Sequence, residues 1–243
     1  KGGHILIARN CHKAVYHAAY LRDLKVSYIY PHEDAELGIN GGISPERVER
    51  YLEENTDVQA FLLTSPTYDG VVSDIKTIAE VVHRHKIPLI VDEAHGAHLH
   101  YSKYFPVSAA DLGADIVIQS FHKTLPSMTQ TAVLHICSDM ADVEKIKRFM
   151  GIYQTSSPSY ILMASMDACM DKLRKDGQQM FREFTFNLEK ARQRLSKCEK
   201  IKLIEGSMIE GSGIYDFDRS KLLFSTVGTS VNGRLLHQIL RDR

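Results

Sequence analysis

The chain has 243 residues, 44% hydrophobic and 25% charged, with 30 Lys+Arg against 30 Asp+Glu. That composition belongs to a folded protein with one large core or two smaller ones, and it excludes disordered and fibrous classes. A net charge of zero leaves no global field for DNA, RNA or an anionic membrane, so no nucleic-acid or membrane partner is expected and a small molecule is the default ligand.

In chain order, strand-length apolar runs fall at residues 5–8, 26–29, 58–63, 89–91, 116–118 and 131–136. Segments of helix length lie between them. Ser44-Pro45 reads as a helix N-cap followed by its first residue, with Val48, Tyr51 and Leu52 as the buried stripe. Ser73 is the expected cap of a helix carrying Ile75, Ile78 and Val82. The alternation predicts an α/β protein with a mostly parallel sheet, its strands buried on both faces. After about residue 140 two long helices are expected, over 158–175 and 178–197, then a weak strand at 222–227 and a short terminal helix. Met163, Met166 and Met170 read as core, and the run Lys190, Arg192, Arg194, Lys197 and Lys200 as a solvated helix face. The expected division is a large domain over 1–175 and a connecting helix with part of a smaller α+β domain over 176–243.

Cys11, Cys137, Cys169 and Cys198 form no CxxC pair and read as free thiols of a reducing compartment. No run approaches 18 apolar residues, and no basic segment leads into an apolar one at the start, so a cytoplasmic location is expected. The chain begins at Lys1 and enters a strand almost at once, which reads as an excerpt of a longer protein.

Ligands of such sheets bind beyond the carboxyl ends of the strands, where Thr64-Ser-Pro-Thr67, Asp92-Glu-Ala-His95 and Ser120-Phe-His-Lys123 each follow a strand candidate. These loops carry what pyridoxal phosphate requires: an amine to bond its aldehyde, a carboxylate for its pyridine nitrogen and donors for its phosphate. Lys123, Asp92, and Ser120 with His122 can supply them, although Asp92 alone also reads as a helix N-cap or a surface ion-pair residue. Ala94 leaves room for a flat ring, and His12, just past the first strand, either stacks on that ring or serves only structure. Ser65 and Thr67 either contact the cofactor or only form their turn.

The residues together resemble the bacterial ornithine/lysine/arginine decarboxylases, pyridoxal enzymes of the aspartate-aminotransferase fold (fold type I). The resemblance spans most of the chain and rests on Arg9-Asn-Cys-His-Lys13, Gly38-Ile-Asn-Gly-Gly-Ile43, Thr64-Ser-Pro-Thr-Tyr68, Val91-Asp-Glu-Ala-His-Gly-Ala-His98, Gly113-Ala-Asp115, Gln119-Ser-Phe-His-Lys-Thr-Leu-Pro126, Thr129-Gln130 and Ser156-Ser-Pro-Ser-Tyr160. It implies that Lys123 bonds the cofactor, Asp92 pairs with the pyridine nitrogen and Ala94 and His12 line opposite ring faces. Ser120 and His122 would hold the phosphate, and His95 would lie near the ring hydroxyl. The implied reaction is decarboxylation of lysine, arginine or ornithine to an amine used in polyamine biosynthesis, in a homodimer or higher homo-oligomer. Family members carry a Gly/Ser/Thr-rich phosphate loop before the region matching Lys1 and continue past the point matching Arg243. On that comparison the 243-residue chain alone is expected to bind cofactor weakly and turn over little.

Other readings stay open at this level. An aminotransferase or lyase of the same fold, or a noncatalytic fragment of it, uses the same motifs. Asp92-Glu-Ala-His95 also spells a helicase motif, but the GxxxxGK[ST] phosphate loop that motif needs is missing. The histidines of residues 95–100 suit a metal, yet a metal site leaves Lys123 and Ser120 unexplained, so none is assigned.

Overall fold

In the computed structural model, which describes residues 2–35, 38–204, 208 and 214–242, six strands form one sheet in the order β2-β1-β5-β7-β8-β9. These are β1 (His4–Ala8), β2 (Lys25–Ile29), β5 (Val58–Thr64), β7 (Leu89–Asp92), β8 (Ile116–Gln119) and β9 (Val133–Ile136). Three two-stranded ladders accompany it, pairing β3 (Glu33–Asp34) with β4 (Ile39–Asn40), β6 (Val71–Val72) with β11 (Asp216–Phe217), and β10 (Lys202–Leu203) with β12 (Phe224–Ser225). The helices are α1 (Lys13–Arg22), α2 (Pro45–Glu54), α3 (Ile75–Arg84), α4 (Phe121–Thr124), α5 (Val143–Tyr153), α6 (Tyr160–Leu195) and α7 (Gly233–Arg241).

The central strands are apolar throughout because both faces are covered. Leu6, Phe61, Leu63, Leu89 and Val91 pack with Val48 and Leu52 of α2 and Ile75, Ile78 and Val82 of α3. Ile7 and Leu62 face the other way, towards Val15 and Tyr16 of α1. All the large sheet's pairings are parallel except β8 with β9. The link from β8 to β9 holds only the four-residue α4, too little chain for a helix crossover, so β9 folds back antiparallel and starts at Val133 rather than at residue 131.

Ser44 caps α2 as expected, accepting the Arg47 N–H at 3.2 Å. Asp74, not Ser73, caps α3, accepting the Thr77 N–H at 3.1 Å. The hydroxyl of Ser73 instead accepts the Ile43 N–H at 3.0 Å, since the helix begins at Ile75 and the residue before it takes the cap.

Where two helices were expected, α6 is a single helix of 36 residues. Gly177 does not interrupt it, because a glycine costs a helix only about 1 kcal/mol and the buried stripe of Cys169, Leu173, Phe181 and Leu188 runs through it. The expected 175/176 division falls inside this helix. Tyr101 stacks on Phe181 with centroids 5.1 Å apart, so α6 buttresses the loop that follows β7. The stripe leaves Met163 and Met170 about half exposed, at 51% and 45%, and takes in only Met166 of the three methionines expected in the core.

Arg192, expected in solvent, is buried and donates to the carbonyls of Arg219 and Lys221. All four cysteines are free thiols, Cys11 and Cys169 buried and the other two exposed. Of the expected 1–175 and 176–243 units, residues 1, 36, 37, 205–207, 209–213 and 243 lie outside the described residues. No helix among the described residues is long and apolar enough to cross a membrane.

Candidate active site

Three loops leave the sheet at one level because Thr64, Asp92 and Ile118 are neighbours in its register. Asp92 is half-buried at the end of β7, and its Oδ1 accepts the Ala94 N–H at 3.1 Å. Among the described residues that is the carboxylate's only hydrogen bond, so it retains acceptor capacity at a place where burial makes an uncompensated charge costly. A cavity of about 560 Å³ opens there, lined by His12, Asp92, Ala94, Ser120, His122 and Lys123. Ile5, Leu62 and Ile118 form its apolar floor. Sequence-distant residues with an amine, a carboxylate and hydroxyl and imidazole groups thus share one wall.

Ser120 is the residue preceding α4, and its side chain makes no capping bond there. His122 Nδ1 lies 2.9 Å from the Thr131 carbonyl, so Nδ1 carries the proton and Nε2 donates to an anion only as the imidazolium. His12 caps α1, its Nδ1 accepting the Ala14 N–H at 3.2 Å, while also lining the cavity. Three buried oxygens at this sheet edge, Asn10 Oδ1, Thr64 Oγ1 and Thr124 Oγ1, have no hydrogen-bond partner among the described residues. None of the three lines the cavity, so the fit to a ligand rests on its lining: the amine of Lys123, the spare acceptor capacity of Asp92, the Ser120 hydroxyl and the imidazoles are the groups pyridoxal phosphate needs.

Ser65 and Thr67 are not brought into either cavity at this edge. Ser65 Oγ accepts the Ser73 N–H at 3.2 Å, and Thr67 Oγ1 accepts the Val71 N–H at 3.1 Å. Both hydroxyls are used in shaping the turn between β5 and β6.

Lys123 also borders a second cavity of about 520 Å³, with Tyr68, Asp69, His95 and Lys221. Lys123 Nζ lies 3.2 Å from His95 Nε2, and Tyr68 meets the His95 ring edge-on at 5.5 Å. Burial first, then the charges of Lys123 and Lys221, lower the His95 pKa from 6.5 to about 4, so the ring is neutral at pH 7. Below pH 6.5 the unfolded chain takes up a proton that the folded ring refuses until about pH 4, so this residue's effect is to lower stability as pH falls through that window. For a partly exposed ring the loss is expected to reach about 1–2 kcal/mol after solvent screening. Urea unfolding of the protein and of His95→Asn at pH 7 and pH 4.5 measures it as a difference that shifts towards the variant in acid. An unchanged difference would contradict the depressed pKa.

Glu93, next to Asp92, is a residue that the motif did not single out. Glu93, the first residue after β7, turns into the interior, where it is 1% exposed. It accepts hydrogen bonds from Ser108 Oγ (2.7 Å), the Ala109 N–H (2.7 Å) and Gln119 Nε2 (2.6 Å). Burial pushes its pKa up, against the opposing pull of those three donors. Gln119 Oε1 in turn lies 3.1 Å from His135 Nε2, so the network ties β7 to β8 and β9 just beneath the site. Glu93→Ala strands the three donors and is expected to cost about 3 kcal/mol in urea unfolding; a loss below about 1 kcal/mol would show that the network is dispensable.

At the far end of the same strands, Asp115 accepts the Leu89 N–H at 2.7 Å and bonds His83 Nε2 at 2.8 Å. Its place opposite the cavities makes it a support of the sheet. Among the described residues no group of three or more His, Cys, Asp or Glu is placed to hold a metal ion.

The Orn/Lys/Arg decarboxylase major-domain family matches residues 1–229. The arginine decarboxylase of Bacillus subtilis (strain 168) is 34% identical over 241 residues, which is 99% of this chain and 49% of that protein. The chain thus spans about half the length of the curated relatives that match nearly all of it. Among solved structures, the constitutive lysine decarboxylase of E. coli superposes with a TM-score of 0.66 at 24% identity, covering 80% of this chain and 29% of that one. A PLP-bound putative aminotransferase from Clostridium difficile 630 gives 0.62 at 15% identity, over 84% of this chain and 54% of that one. The shared architecture is that of fold-type I pyridoxal enzymes, an α/β fold with a mostly parallel sheet. With the family matched over residues 1–229 and 99% of its length aligned with a 34% identical relative, the chain belongs to the Orn/Lys/Arg decarboxylase family.

Proposed function

We propose that the whole protein decarboxylates a basic amino acid with pyridoxal phosphate as cofactor, releasing CO₂ and the corresponding amine. The observation that carries this reading is the single cavity wall shared by Lys123, Asp92, Ala94, Ser120 and His122. When bound, pyridoxal phosphate supplies an electron sink for the pair left on Cα as the carboxylate departs. Lys123 would hold the cofactor through its Nζ amine. Asp92 holds the proton on the pyridine nitrogen, which keeps the ring cationic. Ala94 and His12 would confine the ring, while Ser120 and His122 would hold the phosphate. His95, neutral and 3.2 Å from Lys123 Nζ, would accept from that amine and orient it. In the balanced reaction the Cα–carboxylate bond breaks, CO₂ leaves, and one proton takes its place on Cα.

Arginine is the first candidate substrate, because relatives named arginine decarboxylase match 96–100% of the chain; lysine and ornithine follow. A cytoplasmic homodimer or higher homo-oligomer working in polyamine synthesis, with a large domain over 1–175 and a smaller one begun by 176–243, completes the proposal. The test is to incubate the whole protein, with pyridoxal phosphate, with each of the three amino acids and to quantify CO₂ and amine. Equal amounts of both from at least one substrate are expected. A keto acid without CO₂ would replace this reading with an aminotransferase, and no product with any of the three would leave a noncatalytic member of the fold.

A further inference from the structure

The loop that carries Asp92, Ala94 and His95 runs on to His98, which is 2% exposed. His98 Nε2 lies 3.2 Å from Oδ1 of Asp218, 120 residues further along the chain and fully buried. Neither residue lines either of the two cavities that Lys123 borders. A buried carboxylate gives up its hydration, so it persists only where partners replace the lost water. For Asp218 these are His98 and, within its own turn, the N–H and hydroxyl of Ser220, each at 2.9 Å. Burial alone raises this carboxyl's pKa; the bonds and charge of His98 and Ser220 outweigh it and leave it below the ordinary value.

The backbone of Asp218 is held as well. Its N–H donates to the Gly70 carbonyl at 2.7 Å and its carbonyl accepts the Lys221 N–H at 3.0 Å. From the other side, Arg192 donates to the carbonyls of Arg219 at 3.0 Å and Lys221 at 2.6 Å. Gly70, at φ +101°, is strained for any residue with a side chain, and a Cβ there would come 2.9 Å from Lys221 Cγ and 3.2 Å from the Asp218 carbonyl oxygen. The turn clamped this way delivers Lys221, Leu222 and Leu223 as one wall of the cavity that Lys123 and His95 also line.

We propose that His98 and Asp218 are a positioning pair, a clasp that fixes the 218–223 turn against the loop after β7 and so sets the width of this cavity and the place of Lys221 opposite Lys123 and His95. Its effect on substrate rests on the proposed reaction at Lys123 and on the substrate reaching that lysine through the cavity it shares with His95 and Lys221; its effect on the turn does not. Hydrogen exchange by mass spectrometry and steady-state kinetics on the whole protein test it with His98→Leu, which removes the donor, and His98→Gln, which keeps an N–H near the place of Nε2. In a folded His98→Leu protein, amides of residues 218–223 should exchange about tenfold faster while those of β7 and β8 stay unchanged. The substrate KM should rise about tenfold with kcat kept within about twofold, and His98→Gln should restore most of both effects.

Unchanged exchange at 218–223, acceleration spread equally over β7 and β8, or no recovery in His98→Gln would each overturn the clasp. If His98→Leu does not fold, Asp218→Asn, which keeps the shape and removes the charge, is judged by the same readouts; failure of both to fold also overturns it, because the pair would then be required by the whole domain. Exchange needs neither cofactor nor substrate. Selective loosening in a protein with no decarboxylase activity therefore upholds the clasp and sinks only the reaction, and normal exchange in an active enzyme does the reverse.

Discussion

Lys123→Ala is expected to lower decarboxylation by about 10³-fold or more in the whole protein, because no other group in the cavity can take the place of its amine. Borohydride reduction of the cofactor-loaded wild type, followed by peptide mapping, should fix the cofactor mass on the peptide containing Lys123. The competitor is Lys221, which lines the second cavity together with Lys123. The two differ in their surroundings: Lys123 alone also borders the wall with Asp92, Ala94, Ser120 and His122. Label on Lys221, with Lys123 unmodified, would move the reacting centre to the other cavity.

Asp92→Asn is the second large effect. Asparagine keeps an oxygen that can accept the Ala94 N–H, so the turn after β7 should persist and cofactor should still bind. What disappears is the negative charge that holds a proton on the pyridine nitrogen. Turnover is expected to fall by about 10²-fold or more, the scale on which removal of an electrostatic catalytic group acts. Absorbance titration with pyridoxal phosphate separates binding from turnover. Near-normal turnover in the loaded variant would refute the charge-holding role, and loss of cofactor binding would assign Asp92 to affinity instead.

The sheet was legible in the chain because strands covered on both faces must be apolar at every position, as 61–63 and 89–91 are. The candidate loops were legible for a related reason: polar residues that interrupt such runs lie at strand ends, as Asp92 does at the end of β7 and the Ser120–Lys123 segment does after β8. The bend of β9 was not, since an apolar run is the same whether its neighbour runs parallel or antiparallel. Adjacent residues of similar chemistry posed the same difficulty. Asp92 against Glu93, and Ser73 against Asp74, are separated only by which side chain the strand or helix start turns towards the cavity, the core or the free N–H.

By itself, then, the sequence determined the α/β class, the loops at the strand ends, the four free cysteines and the family's motifs, all of which depend on residue types at short spacing. Only the tertiary structure decided that Lys123 borders two cavities, that His95 sits with Lys221 in the second and that His98 pairs with Asp218. It also showed the Ser65 and Thr67 hydroxyls accepting backbone N–H groups of their turn, and it buried Arg192 beneath the carbonyls of residues 219 and 221. Each of these depends on which remote segment arrives beside a polar group when the apolar faces close, and periodicity carries no record of partners more than a few turns or strands away.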